Sequence, residues 1–232
     1  KTITRTLSSD AYEGRAPTTP AEEKTVAYII EQMKRAGLKP GNKGSWTQDV
    51  PLVEISSSPD MALTVSGGKE PLRFAYKTDL VAYTNQVVPR SEVKDSEIVF
   101  VGHGVNAPER GWNDYAGVDV KGKTVLILIN DPDYEMEGLD GPFNGRAMTY
   151  YGRWIYKYEE AARQGAAAAI IIHDTFPAAY PWGVVVSSWT GPQLGLDLPN
   201  GHMDQSKAMC WVTLHAAKKM FASTGKDFAA LS

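Results

Sequence analysis

The sequence predicts an α/β (α+β) protein with a β-rich domain that contains a parallel βαβ unit, preceded by an N-terminal helix. Two apolar runs, Thr124–Ile129 and Ala167–Ile172, have the length of buried strands, and the amphipathic stretch Tyr151–Gln164 lies between them. The order strand, helix, strand predicts parallel strands joined by a right-handed crossover. The 21 glycines and 14 prolines among 232 residues predict many turns, which favours strands over a helical bundle.

The N-terminal helix follows a polar, turn-rich segment. Thr19 is a candidate cap, Pro20 suits the first helical position, and Gly37 ends the helical pattern. An extended segment, Trp46–Ile55, is expected after it. Apolar residues recur at helical spacing on one face of the predicted helix, namely Val26, Ile29, Ile30 and Met33.

Short strand-like runs separated by turn residues occupy the region that begins at Pro59. Farther along, Ala208–Leu214 is typical of a strand and Ala216–Ser223 of a short helix. Residues 130–150 and 174–207 are two long connections, and connections of this length are usually functional or packed on themselves. The strand-like runs of the β-rich region are Met61–Val65, Leu72–Tyr76, Leu80–Tyr83 and Glu97–Val101.

Charge, hydropathy and cysteine content exclude several classes of protein. The net charge of −3 provides no basic surface of the kind that binds nucleic acid. The longest unbroken apolar run, Ala166–Ile172, is too short to span a bilayer. The single cysteine, Cys210, excludes an internal disulfide, and its apolar neighbours predict a buried, inert thiol.

The histidines do not form a metal-binding pattern. His202 and Asp204 have a His-x-Asp spacing that occurs in zinc hydrolases, but they lie in a polar loop, so a solvated loop histidine is expected. His173 ends a buried strand, where a packed or hydrogen-bonded side chain is the ordinary outcome. His103 lies between two glycines and is expected in a turn.

An alternating acidic run resembles the start of a calcium-binding loop. The loop requires a glycine at its sharp turn, and Met136 stands there instead. A solvated acidic loop is therefore the expectation for this run, which consists of Asp131, Asp133, Glu135 and Glu137.

Arginines and aromatic residues mark the candidate substrate-binding residues, because both are enriched at binding hot spots. The segment Arg146–Trp154 carries two arginines and three aromatic residues. An alternative remains open for these arginines, which is pairing with the acidic run. The candidate substrate-binding residues are Arg146, Arg153, Tyr150 and Trp182.

Five stretches resemble a known family. Leu7-Ser-Ser-Asp-Ala-Tyr-Glu-Gly-Arg15 is similar to the opening of exported bacterial di-zinc aminopeptidases, a metallopeptidase family that includes glutamate carboxypeptidase. Val99-Phe-Val-Gly-His-Gly104 and Ala107–Lys123, the latter with Gly-Trp-Asn-Asp-Tyr-Ala-Gly-Val-Asp, resemble the protease-associated (PA) domain inserted in such enzymes. The stretches Arg146–Trp154 and Tyr158–Ala166 are similar to the same domain.

The resemblance divides the chain into three expected parts. Residues 1–52 would be the N-terminal segment of a peptidase domain, residues 53–215 the PA domain, and residues 216–232 a return segment toward the catalytic core. In the family the zinc ligands follow the inserted domain and include a His-x-Asp motif and a Glu-Glu pair. We therefore expect a fragment without catalytic residues, metal or cofactor of its own, whose full-length parent holds two zinc ions.

The resemblance also implies a function. A PA domain of this kind covers the active-site cleft of the parent aminopeptidase and shapes substrate access or protein interaction. Peptide substrates are then the expected partners, and a periplasmic or secreted location is expected. Two alternatives are a free-standing protein- or peptide-binding module and an independent hydrolase that uses His173 or His202. The N-terminal helix favours the peptidase fragment over the free-standing module, and the lack of a nucleophile or ligand set disfavours the hydrolase.

Overall fold

The computed structural model describes residues 1–231. The chain divides into two compact units, the first formed by Lys1–Pro51 and the second beginning at Leu52. The first unit contains helix α1 (Thr2–Leu7), a short 3-10 segment (Asp10–Arg15) and helix α2 (Pro20–Arg35). None of the helices within residues 1–231 combines the length and apolar character that a membrane crossing requires.

Helix α2 confirms the predicted N-terminal helix, with two local differences. The side chain of Thr19 does not cap it, because the Thr19 hydroxyl donates instead to the carbonyl of Ala16 at 2.7 Å. The preceding polar segment contains α1, which the sequence pattern did not predict. Inside the unit, the rings of Tyr12 and Tyr28 pack edge to face with 5.9 Å between centroids.

The second unit is built on a mixed five-stranded sheet, accompanied by three two-stranded antiparallel pairs. Its strands are β1 (Leu52–Ser56), β2 (Ala62–Val65), β3 (Leu72–Ala75), β4 (Leu80–Tyr83), β5 (Ile98–Phe100), β6 (Asn106–Ala107), β7 (Trp112–Asn113), β8 (Thr124–Leu128), β9 (Ala168–His173), β10 (Pro192–Leu196) and β11 (Ala208–Thr213). Its α-helices are α3 (Trp154–Arg163), α4 (Thr175–Ala178), α5 (Trp182–Trp189) and α6 (Leu214–Ser223).

The strand order of the main sheet is β4-β11-β9-β8-β5. Strands β5, β8, β9 and β11 are parallel, and β4 runs antiparallel to β11 at the edge. Strands β8 and β9 are neighbours, joined along the chain through α3, and their register pairs Leu126 with Ile170. The predicted fold class, an α/β chain with a parallel βαβ unit and an N-terminal helix, is confirmed.

Both faces of the main sheet are covered, which explains why β8 and β9 are continuous apolar runs. Side chains of successive strand residues point to opposite faces. Ile127 and Ile171 belong to a core that also contains Tyr158 of α3 and Trp189 of α5. The core on the opposite face contains Leu126, Ile170 and Phe74 of β3. Helix α6 contributes Ala217, Met220 and Phe221 to it.

The prediction of one long connection at residues 174–207 was wrong, because this segment contains α4, α5 and β10. Asp174 caps α4 by accepting from the backbone N–H of Phe176 at 3.3 Å. Val185 and Trp189 of α5 are buried in the core, so tertiary packing stabilises a helix whose isolated pattern is weak. Strand β10 pairs with β1, where Leu196 lies opposite Leu52.

Helix α6 packs on the main sheet within the second unit, against β9 and β11. The proposed role of residues 216–232 as a return segment stays a prediction, as does the division at residues 52 and 215.

Candidate ligand-binding cleft

A cleft of about 590 Å³ lies at one edge of the main sheet, where the parallel strands β8 and β9 end. Ligands of open α/β sheets bind at the carboxyl ends of strands, so this is the expected place for a site. Residues after β5, β8 and β9 all reach the cleft. The residues that line it are His103, Trp112, Leu128, Ile129, Pro132, Asp133, Tyr134, Glu135, Met136, Pro142, Ile172, Asp174, Pro177 and Phe228.

The long segment between β8 and α3 forms one wall of the cleft. Asp131, near the start of this segment, binds Thr149 near its end. Asp131 is fully buried. Its two carboxylate oxygens accept from the backbone N–H of Thr149 at 2.6 Å and from the Thr149 hydroxyl at 2.8 Å. The loop is therefore tied back onto the strand end from which it starts.

Asp133 fastens the middle of the same loop. Its Oδ2 accepts from the backbone N–H groups of Phe143 at 2.7 Å and Gly145 at 3.2 Å. The loop passes so close that a Cβ atom at Gly141 would lie 2.0 Å from Oδ2. Glycine is thus required at position 141 for this approach.

The expectation of a solvated acidic run was wrong for its first half. Asp131 and Asp133 are 0% and 7% exposed, whereas Glu135 and Glu137 are exposed as predicted. The two buried carboxylates form hydrogen bonds with loop groups that a sequence pattern does not reveal.

A buried polar network lies next to the cleft around the carbonyl of Asn130. Lys157, on α3, is fully buried and donates from Nζ to this carbonyl at 2.9 Å. His103 Nδ1 lies 3.1 Å from the same oxygen. The Asn130 side chain donates to the carbonyl of Pro177 at 2.8 Å, so one residue links three segments around the cleft.

Burial controls the protonation of this network. Burial, followed by the nearby Lys157 ammonium, lowers the pKa of His103 to about 4, so His103 is neutral at pH 7. Burial lowers the pKa of Lys157 to about 7, although Asp131 and Asp114 oppose the shift. Burial raises the pKa of Asp131, and its hydrogen bonds with Thr149 counteract this.

The lining of the cleft combines apolar surface with negative charge. The lining includes the apolar residues Ile129, Ile172 and Met136, of which Met136 is exposed. Its three carboxylates belong to Asp133, Glu135 and Asp174. No lysine or arginine belongs to the described residues that line it. An arrangement of this kind suits a ligand with an apolar body and a positive group.

Two candidate substrate-binding residues lie on the loop surface outside the cleft lining. Arg146 is exposed, and its Nη2 lies 3.9 Å from Oε1 of Glu137, which is the pairing with the acidic run left open above. Tyr150 is exposed and donates from its hydroxyl to Glu159 at 2.9 Å.

The other two candidates occupy the starts of helices. Arg153 is the exposed cap residue of α3. The indole of Trp182, at the start of α5, donates to the carbonyl of Lys77 at 2.8 Å and packs against the ring of His173. None of the four candidates belongs to the described residues that line the cleft, and their role in substrate binding stays a prediction.

The remaining histidines and the cysteine have structural contacts. His173 is buried and its Nε2 lies 3.0 Å from the carbonyl of Tyr180, which confirms the expected packing at a strand end. His202 is also buried, with Nε2 2.6 Å from the carbonyl of Leu196, so the expectation of a solvated loop histidine was wrong. Cys210 is buried, and burial raises the pKa of its thiol to about 12, as expected for an inert cysteine.

The sequence pattern missed His103, Asp133 and Lys157 as members of one site. The signal that was available is positional, because residues that follow parallel strands gather at one edge. His103 and Asp133 each come a few residues after a strand of the parallel set. Lys157 had no such signal, since a lysine on an amphipathic helix is ordinarily solvated.

No protein-family model matches the chain, and no curated protein matches it either. Among solved structures, the chain is similar to the aminopeptidase from Aneurinibacillus sp. strain AM-1, with 22% sequence identity and a TM-score of 0.41. The similarity covers 95% of this chain and 39% of that aminopeptidase. This chain thus spans about two fifths of the length of the solved aminopeptidase that it matches.

Proposed function

We propose that this chain is a peptide-binding accessory domain of the protease-associated type, which acts within a longer aminopeptidase-like protein and catalyses no step itself. The observation that carries the proposal is the cleft at the ends of β8 and β9. Its volume of about 590 Å³ falls in the range of small-molecule sites.

The cleft is also held in shape, which a binding site requires. Asp131 and Asp133 fix the loop wall through four hydrogen bonds from Thr149, Phe143 and Gly145. Because this wall is already ordered, ligand binding does not carry the entropy cost of ordering the loop.

The resemblance implies two zinc ions in the longer protein. Residues 1–231 do not fit such a centre, because no group of three His, Cys, Asp or Glu side chains among them is arranged to hold a metal ion. His202, the histidine with His-x-Asp spacing, is directed at the Leu196 carbonyl. We therefore derive no metal-dependent step from this chain.

Within the longer protein, the domain covers the active-site cleft and shapes peptide access. Arg146, Arg153, Tyr150 and Trp182 are the proposed additional substrate contacts outside the cleft. The longer protein is periplasmic or secreted under this proposal. A free-standing peptide-binding module remains the alternative, and it makes use of the same cleft.

Calorimetric titration with short apolar peptides tests the proposal. Met136 lines the cleft and is 49% exposed, and Met203 is 58% exposed outside it, so the two methionines form a matched pair. Met136→Ala should weaken binding by about 1 kcal/mol, roughly fivefold, because it removes apolar contact area. Met203→Ala should leave the dissociation constant unchanged.

Three results would contradict the proposal. The first is an absence of peptide binding, and the second is an equal effect of the two methionine substitutions. The third is cleavage of the peptides by the purified chain, monitored by mass spectrometry, because the domain is proposed to have no catalytic step.

A further inference from the structure

His103 has one ring nitrogen that forms no hydrogen bond within residues 1–231. The side chain is partly buried and belongs to the lining of the cleft. Its Nδ1 lies 3.1 Å from the carbonyl of Asn130, whereas Nε2 has no such partner. In this part of the chain the buried side-chain atoms without a partner are Tyr115 Oη, Asp133 Oδ1 and Trp211 Nε1. Nε2 of His103 is not one of these atoms, so it retains accessible surface.

The contact with Asn130 determines the tautomer of His103. A carbonyl oxygen only accepts hydrogen bonds, so Nδ1 carries the proton and donates it to Asn130. Burial, followed by the Lys157 ammonium, lowers the pKa of His103 to about 4, and the ring therefore holds a single proton at pH 7. Nε2 is thus an unprotonated acceptor.

Neighbouring groups fix the direction of the imidazole ring. The Asn130 carbonyl also accepts from Lys157 Nζ at 2.9 Å, and the Asn130 side chain donates to the carbonyl of Pro177, so the residue that holds Nδ1 is itself held. The ring of Tyr134 lies beside the imidazole, with 6.1 Å between centroids. Ligand pockets orient their ligands through a small number of fixed polar groups, and Nε2 has the properties of such a group.

We infer that Nε2 of His103 accepts a hydrogen bond from a backbone N–H group of the peptide ligand and thereby orients the peptide in the cleft. The inference deepens the proposed function and rests on it. A peptide N–H that leaves water for a partly apolar cleft needs an acceptor, because an unpaired N–H is costly there. Two carboxylates of the lining already accept within the chain, Glu135 from the Tyr134 hydroxyl and Asp174 from the backbone N–H of Phe176.

Backbone-ester analogues of a peptide test which ligand group donates. The parent probe is N-acetyl-phenylalanyl-glycine dimethylamide, whose two N–H groups both belong to its backbone. Replacing one or the other N–H by an ester oxygen gives two analogues that each lack one donor. In calorimetric titrations one of the two should bind about three- to tenfold more weakly than the parent, the loss expected for one hydrogen bond.

His103→Asn tests the acceptor atom. The asparagine amide nitrogen takes the place of Nδ1 and can donate to the Asn130 carbonyl, while the shorter side chain leaves no acceptor where Nε2 was. In this variant the weaker ester analogue should bind as well as the parent. The control is His215→Asn, the same replacement at an exposed residue outside the lining, which should keep the three- to tenfold difference.

A measurement on the unmodified chain keeps the inference testable if His103→Asn alters the cleft. Long-range ¹H–¹⁵N NMR spectra distinguish protonated from unprotonated imidazole nitrogens. Nε2 of His103 should be unprotonated in the free chain at pH 7. Its ¹⁵N signal should move when the parent peptide is added, and it should move less with the weaker ester analogue.

The outcomes separate the inference from the proposed function. Equal binding of the parent and both ester analogues overturns the role of His103 but leaves peptide binding in place. A proton on Nε2 in the free chain, or an unchanged difference between parent and analogue in His103→Asn, also overturns it. Failure of the parent peptide to bind overturns the inference together with the proposed function.

Discussion

Lys157 is a fully buried lysine on α3 in the second unit. Removing an ammonium from water is costly unless hydrogen bonds and opposite charges compensate for it. The carbonyl of Asn130 supplies one hydrogen bond, and Asp131 and Asp114 supply opposing charge. The compensation is incomplete, because burial still lowers the pKa of Lys157 to about 7.

The buried lysine predicts a pH-dependent stability. In the unfolded chain Lys157 titrates near its ordinary pKa, about 10.4. Between pH 7 and that value the unfolded state binds a proton that the folded state lacks, so the free energy of unfolding rises with pH by at most about 1.4 kcal/mol per unit. Below pH 7 both states are protonated and the penalty is fully present.

Chemical denaturation of the wild type and Lys157→Met at several pH values between 7 and 10 measures this effect. The wild type should gain stability relative to the variant across the range. Parallel curves for the two proteins would contradict the assignment of the shift to Lys157.

Arg146 and Arg153 allow a second test at the level of single residues. The pair between Arg146 and Glu137 is exposed and 3.9 Å long, so it should contribute little to stability. Arg146→Ala and Arg153→Ala should change the free energy of unfolding by less than about 0.5 kcal/mol. If these arginines contact substrate, each substitution should lower kcat/KM of the proposed longer aminopeptidase, by a loss of transition-state stabilisation of about 1–3 kcal/mol.

The contrary result for the arginines is equally clear. A lowered melting temperature with unchanged kcat/KM would assign them a structural role, which is the alternative that the contact with Glu137 represents.

At the level of elements, strand β8 in the second unit is more deeply buried than helix α2 in the first unit. Strand β8 is buried along its first four residues. In α2 only Ala21 is buried, and the apolar side chains of Val26, Ile29 and Ile30 are partly exposed. Met33 is 39% exposed. Local stability follows the amount of apolar surface that each element buries.

Hydrogen exchange should therefore distinguish the two elements. Backbone amides in the middle of α2 should exchange faster than those of Thr124–Ile127, because a helix with one buried residue opens at low cost. Exchange measured by mass spectrometry on the purified chain gives the comparison. Equal protection of α2 and β8 would contradict the expectation.

The sequence predicted the elements that have a strong hydrophobic periodicity of their own. Helix α2 and the β8–α3–β9 unit have clear periodicity, so their existence and approximate bounds follow from the residues. Helix α5 was missed because it depends on burial of Val185 and Trp189 against distant strands. A single sequence does not contain that partner information.

The candidate site was predictable only in part for a related reason. Strand order places His103, Asp133 and Asp174 at one edge, and the order is set by contacts between residues far apart in sequence. The same acidic run contains buried Asp133 and exposed Glu137, and only the path of the loop distinguishes them. Chemical type alone therefore drew attention to His103 and to the acidic run but did not bring them together in one site.

For the whole molecule, the central claim is that the second unit binds peptides at the carboxyl edge of its parallel strands. The claim combines the fixed loop wall, the apolar lining and the three carboxylates of the cleft. It centres peptide binding on the cleft lining, with Arg146 and Trp182 as proposed further contacts outside that lining, and thus makes a spatial prediction.

The most direct measurement is an NMR titration of the ¹⁵N-labelled chain with phenylalanyl-glycinamide. The account predicts saturable shifts that are largest at the amides of His103, Asp133–Met136 and Asp174, with small changes in Lys1–Pro51. Shifts confined to other surfaces, such as the β1–β10 pair, or no saturable shift at all, would contradict it.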